Sequence, residues 1–269
     1  MGHMPALPSI LTSCAGKLYA GRALARMMIW LTNWRQVWSA YRSGQRLPAL
    51  RLRSGLVIRH ADGDDPLMLL NEIFVKRSYR QRRRTPQARM LVDIGANIGV
   101  VTLTWANRFP QARIHAYEPH PRTYRTLAMN VRDNALDGRV ETFSEAVGRT
   151  AGHLALSSPF ISALATAYAH TATEAVQVPC VDANEVARRA GGSIDVLKID
   201  AEGAEADILE SATPATLTAI TELMLEYHDQ LAPRALDRCM RVLQAAGFQL
   251  RIRPANAHQG LLYAWRGHS

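Results

Sequence analysis

The stretch LVDIGANIGV, residues 91 to 100, decides how the chain is to be read. A short apolar run carries Asp93, the chain then turns through Gly95 and Gly99, four positions apart, and an apolar helical pattern begins. A buried strand, a glycine turn and a helix in that order open a doubly wound α/β sheet, where ligands settle beyond the carboxyl ends of the strands. The turn is therefore the expected floor of a ligand crevice.

Working outward, the same rhythm repeats. MLVDI, ARIHAYE, GRVETFSEA, SIDVLKID and ITELMLEYHD read as strands, with helical stretches between them such as GVVTLTWANRF, PRTYRTLAMNVRDNAL, residues 182 to 190 and residues 204 to 212. Strands alternating with helices of this length imply a parallel sheet. A hairpin-like insert, GHLALS with AVQVPCV, precedes the fourth strand. The chain closes with a helix over 233 to 246 and two strands, FQLRIRP and GLLYAWR.

Upstream, residues 5 to 89 form an extension to a domain spanning 90 to 269. The opening Met1-Gly2-His3-Met4 reads as a cloning remnant, with natural sequence expected from about Met4. Residues 15 to 43 are predicted to be one amphipathic helix: Met27, Leu31, Trp34, Trp38 and Tyr41 recur at helical spacing, flanked by Arg22, Arg26, Arg35 and Arg42. That stripe is expected to dock on the protein itself, with peripheral membrane contact as the second reading. LRLRSGLVIRHADGDD alternates around Ser54-Gly55 as a hairpin does, residues 66 to 79 are helical, and YRQRRRTPQAR is an exposed connection.

Composition narrows the class. No apolar run approaches the ~18 residues that cross a bilayer. Cys14, Cys180 and Cys239 are scattered and odd in number, which argues against a disulfide framework and for a reducing, cytoplasmic setting. Residues 1 to 91 hold 16 Lys and Arg against 4 Asp and Glu (+12), and residues 92 to 269 hold 16 against 19 (−3), which together make the formal +9. The basic N-terminal third is expected to form the acceptor side and to attract phosphate or carboxylate groups.

The glycine turn does not suit a dinucleotide. That fingerprint is G-x-G-x-x-G, and here Asn97 and Val100 occupy the second and third glycine positions. A phosphate-free adenosyl ligand such as the sulfonium compound S-adenosylmethionine has less need of a helix N-terminus to hold anions. Gly95 and Gly99 would shape its floor, and Asp93 would support the loop or face its charged tail. Glu118, at the end of the second strand, would accept hydrogen bonds from both ribose hydroxyls. Glu145 would accept from the adenine amino group, with Ala146 and Val147 bordering the ring.

With the fourth strand the combination becomes recognisable. VDIGANIG, YEPHPRTYRTLAMNV, EAVGRTAG, VPCVDANEVAR, IDVLKIDAEGAEADILESA and LMLEYHD fall in the order and spacing of the FkbM-type family of S-adenosylmethionine-dependent methyltransferases, which the chain resembles over about residues 88 to 230. The resemblance implies a class I, Rossmann-like sheet of seven strands with an antiparallel terminal strand, here with an N-terminal helix and hairpin extension. It also implies O-methylation of a sugar, glycolipid or polyketide-type product. Gly95, Asn97 and Gly99 become cofactor-loop residues, Glu118 the ribose ligand, and Glu145 to Val147 the adenine border. VDANEV stands where a leucine is more usual, and LESA where a glycine-ended version is.

Methyl transfer from a sulfonium requires an aligned acceptor and removal of its hydroxyl proton. Lys198, Asp200 and Glu202 gather at the end of the fourth strand, and Glu226, His228 and Asp229 at the end of the fifth. His228 is the expected base, with Asp200 and Glu202 at the active centre. Asp200 and Glu226 are the expected ligands of Mg²⁺ or another hard divalent ion, should one take part. Other readings give some of these groups structural work: Glu202 as a helix cap, Lys198 paired with Glu226 in the core, Asp182 a cap, Asp195 a loop residue. His115, His120, His153 and His170 read as surface or loop histidines, and Cys180 as core. The expected partner is a small-molecule or glycan acceptor. An RNA methyltransferase is the second enzymatic reading, and nucleic acid is not expected because the basic segment lacks an aromatic stacking platform. A membrane-associated scaffold is the non-enzymatic one.

Overall fold

The computed structural model describes residues 28–61, 64–76, 78–79, 87–158 and 173–266. Apolar β-branched runs form the centre of a seven-stranded sheet. Its parallel strands are β3 (Met90–Ile94), β4 (Arg113–Tyr117), β5 (Val140–Phe143), β9 (Ile194–Ile199) and β10 (Ile220–His228). The terminal hairpin is β11 (Gln249–Pro254) and β12 (Gln259–Trp265), and the spatial order is β11-β12-β10-β9-β3-β4-β5. β12 is antiparallel to both neighbours, so the expected sheet and its terminal hairpin are present. In this register Asp93 lies beside Lys198 and Met224 pairs with Lys198, which brings the tips of β3, β9 and β10 to one edge.

Helices cover both faces. On one, α3 (Val100–Arg108) and α4 (Pro121–Asp133) bury Leu103, Trp105, Ala106, Leu127 and Val131. On the other, α5 (Ala183–Arg189), α6 (Glu205–Ser211), α7 (Pro214–Thr218) and α8 (Ala235–Ala245) bury Val186, Leu209, Leu217 and Leu243. The third predicted strand is divided. After β5 the chain leaves the main sheet, and β6 (Ala146–Gly148) joins a small sheet with β7 (Gly152–Ser158) and β8 (Thr173–Asp182) in the order β6-β8-β7.

The long helix predicted over 15 to 43 is corrected. Residues 1–27 lie outside the described residues, and beyond them α1 covers only Trp34–Ser43. Leu31 forms an isolated bridge with Leu52, the Thr32 N–H donates to the Arg51 carbonyl, and the Asn33 side chain bonds both Ala49 and Arg51. Backbone pairing with the hairpin β1 (Leu50–Arg51) and β2 (Val57–Ile58) thus takes the groups that a continuous helix would use. Trp34 and Trp38 pack against the core, as docking requires. Next comes a short helix, α2 (Pro66–Leu70), capped by Asp65 and continued by a π-helical turn over Asn71–Val75.

The extension is fastened by amides. Asn130 of α4 accepts from the Arg59 N–H and donates to the Arg59 and Ile98 carbonyls, and Asn134 bonds both the N–H and the C=O of Val57. Two side chains therefore act as a strand edge for β2. Asn130→Ala leaves buried backbone groups unpaired at a cost on the order of 2–3 kcal/mol. Thermal melting should then fall by roughly 5–10 °C at about 2–4 °C per kcal/mol; an unchanged melting temperature would remove Asn130 from this role.

Candidate active site

The Gly95 and Ala96 N–H groups both donate to the Tyr117 carbonyl, which folds the loop tightly over the tip of β4. Gly95 has φ +76, and a Cβ there would lie 1.8 Å from the Asp200 carbonyl oxygen, so no side chain fits. Asn97 adopts φ 53 and Gly99 φ 92. Glu118 locks the loop: its oxygens accept from the Asn97 and His120 N–H groups, each at 2.9 Å. Burial, only partly offset by these bonds, raises Glu118 to about 7.

Beneath the loop lies a fully buried ion pair. Lys198 Nζ is 2.9 Å from Asp93 Oδ1 and donates to the Gly95 carbonyl at 2.7 Å, while Thr102 Oγ1 donates to Asp93 Oδ2. Burial opposes the Lys198 charge, but Asp93 and Asp200 outweigh it and hold its pKa up. Asp93 takes the first of its two expected roles, supporting the loop from below through Lys198 and Thr102. One pairing is corrected: the core partner of Lys198 is Asp93, not Glu226.

At the third strand's end, Arg189 clamps Glu145 at 2.5 Å. Arg189 also lies over Phe143, which stacks on Tyr117 with ring centroids 4.5 Å apart. Ala146 and Val147 are buried beside them. Glu145 is thus a held carboxylate on a flat aromatic wall, neither loose nor fully exposed.

The acidic ends of β9 and β10 converge as expected, with one exchange of roles. Glu202 does not cap α6: it sits at φ 48, half exposed, with Oε2 3.7 Å from His228 Nε2. Glu205, the first residue of α6, instead ties down the turn before the helix, accepting from the Ala201 and Gly203 N–H groups. The same buried carboxylate lies 2.9 Å from His228 Nδ1, which turns Nε2 toward the crevice. Burial disfavours the imidazolium, but Glu205, Asp200 and Glu202 overcome it and raise His228 to about 9. Partial enclosure by the crevice walls, with the Asp200 carboxylate added, raises Glu202 to about 7.

Asp200 and Glu226 do not present an open pair for a cation. The Tyr79 hydroxyl stands between them, 2.9 Å from Asp200 Oδ2 and 2.8 Å from Glu226 Oε2, and Gln259 Nε2 donates to the other Glu226 oxygen. Among the described residues the ion-sized grouping is Asp200, Glu202 and His228, whose nearest atoms all lie within 4.8 Å of one another. His228 Nε2 cannot both ligate an ion and accept a proton.

Sequence reasoning missed Glu205, Tyr79 and Gln259. Glu205 was visible as a first-turn acid, but its reach to His228 needed the fold. Tyr79 was read into the charge run, of which residues 80–86 lie outside the described residues. Asp182 caps α5 as expected. Asp195 is on β9, not a loop, and accepts from the Arg89 and Met90 N–H groups. His115 is a buried strand residue 3.5 Å from Glu141, correcting its surface assignment, and His170 lies outside the described residues. Cys180 and Cys239 are buried and free. Among the described residues no helix is long and apolar enough to cross a membrane.

The methyltransferase FkbM domain model matches residues 93–250. The chain belongs to the FkbM methyltransferase family. It is 28% identical over 205 residues to Methyltransferase 1 of Beauveria bassiana, covering 67% of this chain and 80% of that one. It is 26% identical over 230 residues to the 31-O-demethyl-FK506 methyltransferase FkbM of Streptomyces tacrolimicus, covering 74% and 88%. The crystal structure of a methyltransferase FkbM from Methylobacillus flagellatus has the same fold, with TM-score 0.50 and 15% identity over 93% of this chain and 60% of that one. The fold is that of class I methyltransferases, and it implies S-adenosylmethionine as cofactor.

In this FkbM-family chain the Glu205–His228 pair has a measurable sign. A histidine raised above its ordinary 6.5 adds stability that is complete below 6.5 and is lost as pH rises through about 9. Glu205→Gln should lower the His228 pKa by on the order of 1–3 units, read from its imidazole proton resonance. It should also flatten the decline in melting temperature between pH 7 and 9; an unmoved His228 titration would break the pairing.

Proposed function

We propose that the protein is an S-adenosylmethionine-dependent O-methyltransferase whose general base is His228, acting on a hydroxyl of a sugar, glycolipid or polyketide-type product. The observation that carries this reading is the Glu205–His228 pair opening into the crevice that Gly95 to Asn97 floor. The Streptomyces relative's name, a 31-O-demethyl-FK506 methyltransferase, supports oxygen as the methylated atom.

The residues present fit the cofactor. Glu118 is buried with two backbone N–H partners among the described residues, and its raised pKa suits a carboxylate to which two ribose hydroxyls would donate. Gly95, Asn97 and Gly99 would hold the loop against the adenosyl group, and Glu145, Ala146 and Val147 with the Tyr117–Phe143 stack would border the ring. S-adenosylmethionine supplies a methyl group on a sulfonium centre.

The remaining work falls to the chain. Asp200 and Glu202 orient the acceptor, His228 Nε2 takes its hydroxyl proton as the new bond forms at oxygen, and Glu205 stabilises the resulting imidazolium. Alone, a His228 held at about 9 is charged at neutral pH. A cationic cofactor held in the crevice would disfavour that proton, and the neutral Nε2 is the form that accepts one from the acceptor.

Two measurements test this. His228→Ala should lower turnover by about 10²–10⁴ while leaving the calorimetric affinity for S-adenosylhomocysteine within a few-fold; near-normal turnover would end the role as base. For Glu118, hydroxyl donors favour the ionised form, so cofactor affinity should fall as pH drops below about 7. Glu118→Gln should abolish that pH dependence, and a native affinity indifferent to pH between 5 and 7.5 would take Glu118 out of the site.

A further inference from the structure

The N-terminal segment combines unneutralised positive charge with exposed apolar surface. Before Asp62 the chain has no carboxylate at all, and those 61 residues hold nine Lys and Arg and three of the five tryptophans. Any neutralising partner must come from elsewhere in the fold. Arg59 finds one in Asp133, whereas Arg51 and Arg53 have no carboxylate partner among the described residues. Backbone pairing sets these two arginines beside apolar side chains. The antiparallel bridge between Leu31 and Leu52 turns both leucines into the core, and side chains alternate along paired strands, so Trp30, Thr32, Arg51 and Arg53 share the outer face. The Arg53 N–H donates to the Trp30 carbonyl, and Arg53 Nε donates to the Ile29 carbonyl at 2.8 Å. Ile29 is 63% exposed and Trp30 38%. Trp34 and Trp38 pack inward, but Trp30 meets Phe74 at 5.2 Å between ring centroids. Glu72 and Ile73, next to Phe74 in the chain, line the crevice, so this face borders the crevice wall.

We propose that this face docks on the surface of an anionic lipid bilayer, lying in the interface without crossing it. Ile29 and the indole of Trp30 suit the boundary between headgroups and acyl chains, where an amphipathic ring settles. Arg51 and Arg53 can lay their stems along that apolar surface and reach lipid phosphates with their guanidinium heads. Charge complementarity selects this occupant over the others. A second copy docked through the same face would set arginine against arginine. The chain before residue 28 has no carboxylate either, so it cannot neutralise the pair. A nucleic acid would need aromatic faces laid open for stacking, and Trp34 and Trp38 are turned inward. The docking is independent of the chemistry in the crevice and stands or falls without it.

The test is flotation of the full-length protein with vesicles of phosphatidylcholine, alone or with about 30% phosphatidylglycerol, at about 0.1 M salt. Affinity for the anionic vesicles should be about tenfold or more above that for the neutral ones, and about 0.5 M salt should remove most of the difference. Arg51→Gln and Arg53→Gln should each weaken binding about fivefold, the contribution of one arginine near an anionic surface. Ile29→Gln should weaken it several-fold. All three side chains are exposed, so native melting curves are expected, and Arg51→Lys, which keeps the charge, should bind like the native chain. Arg241→Gln on α8, across the sheet, removes the same charge and should change nothing. No binding to either vesicle, equal binding to both, or an equal loss with Arg241→Gln would overturn the proposal. So would binding that none of the three substitutions weakens, since it assigns the contact to another part of the chain. Single-stranded RNA that binds more tightly than anionic vesicles, and is released by the same substitutions, would make this a nucleic-acid face and overturn it too.

Discussion

A lysine ammonium buried at the centre of the sheet holds the site in place. Lys198 is 2% exposed, and it joins Asp93 of β3 to the Gly95 carbonyl of the loop, with Asp200 just beyond the end of β9, the strand that carries the lysine. Removing one partner of such a pair leaves an uncompensated charge in the core, at a cost of about 3–5 kcal/mol. Its value here is positional. The glycine turn is anchored from below, and the crevice side of the turn stays free for a ligand.

A second carboxylate does comparable work at the ends of β9 and β10. Glu205 ties down the turn between β9 and α6 through the Ala201 and Gly203 N–H groups and also holds His228 by Nδ1. The turn and His228 are thereby one unit, so the reach of Nε2 into the crevice is fixed by the carboxylate that also orders the turn. This differs from a surface histidine, whose tautomer and direction would fluctuate. Tyr79, brought in from the N-terminal segment, meets Asp200 and Glu226 from the opposite wall. The extension is therefore part of the site, and its core is continuous with that of the sheet's α3 and α4 face.

Much of the fold was written in period and punctuation. Apolar runs near five residues, helices between them and the glycine turn after MLVDI were enough for a parallel sheet with the tips of β9 and β10 side by side, and the order of motifs pointed to the family. Where local signals competed with distant partners they misled. The aromatic stripe over 15 to 43 suggested one helix, but the Leu31 and Thr32 backbone pairs with residues 51 and 52, and a window of local sequence contains no trace of that pairing. GRVETFSEA looked like a single strand, yet its last residue belongs to a different sheet.

The sequence by itself determined which chemistry was on offer: glycines where backbone must pass closely, Glu118 at one strand tip, and carboxylates with a histidine at two others. Periodicity encodes burial, and residue type encodes reactivity, so both are legible without coordinates. Only the tertiary structure decided the pairings. Lys198 faces Asp93 rather than Glu226, Glu205 holds His228 by Nδ1 and orders the turn before α6, and Tyr79 closes the gap between Asp200 and Glu226. Each depends on which side chains point to the same side at distances of a few ångströms. Strand register and the course of the chain between elements set those distances, and the charges of single residues do not.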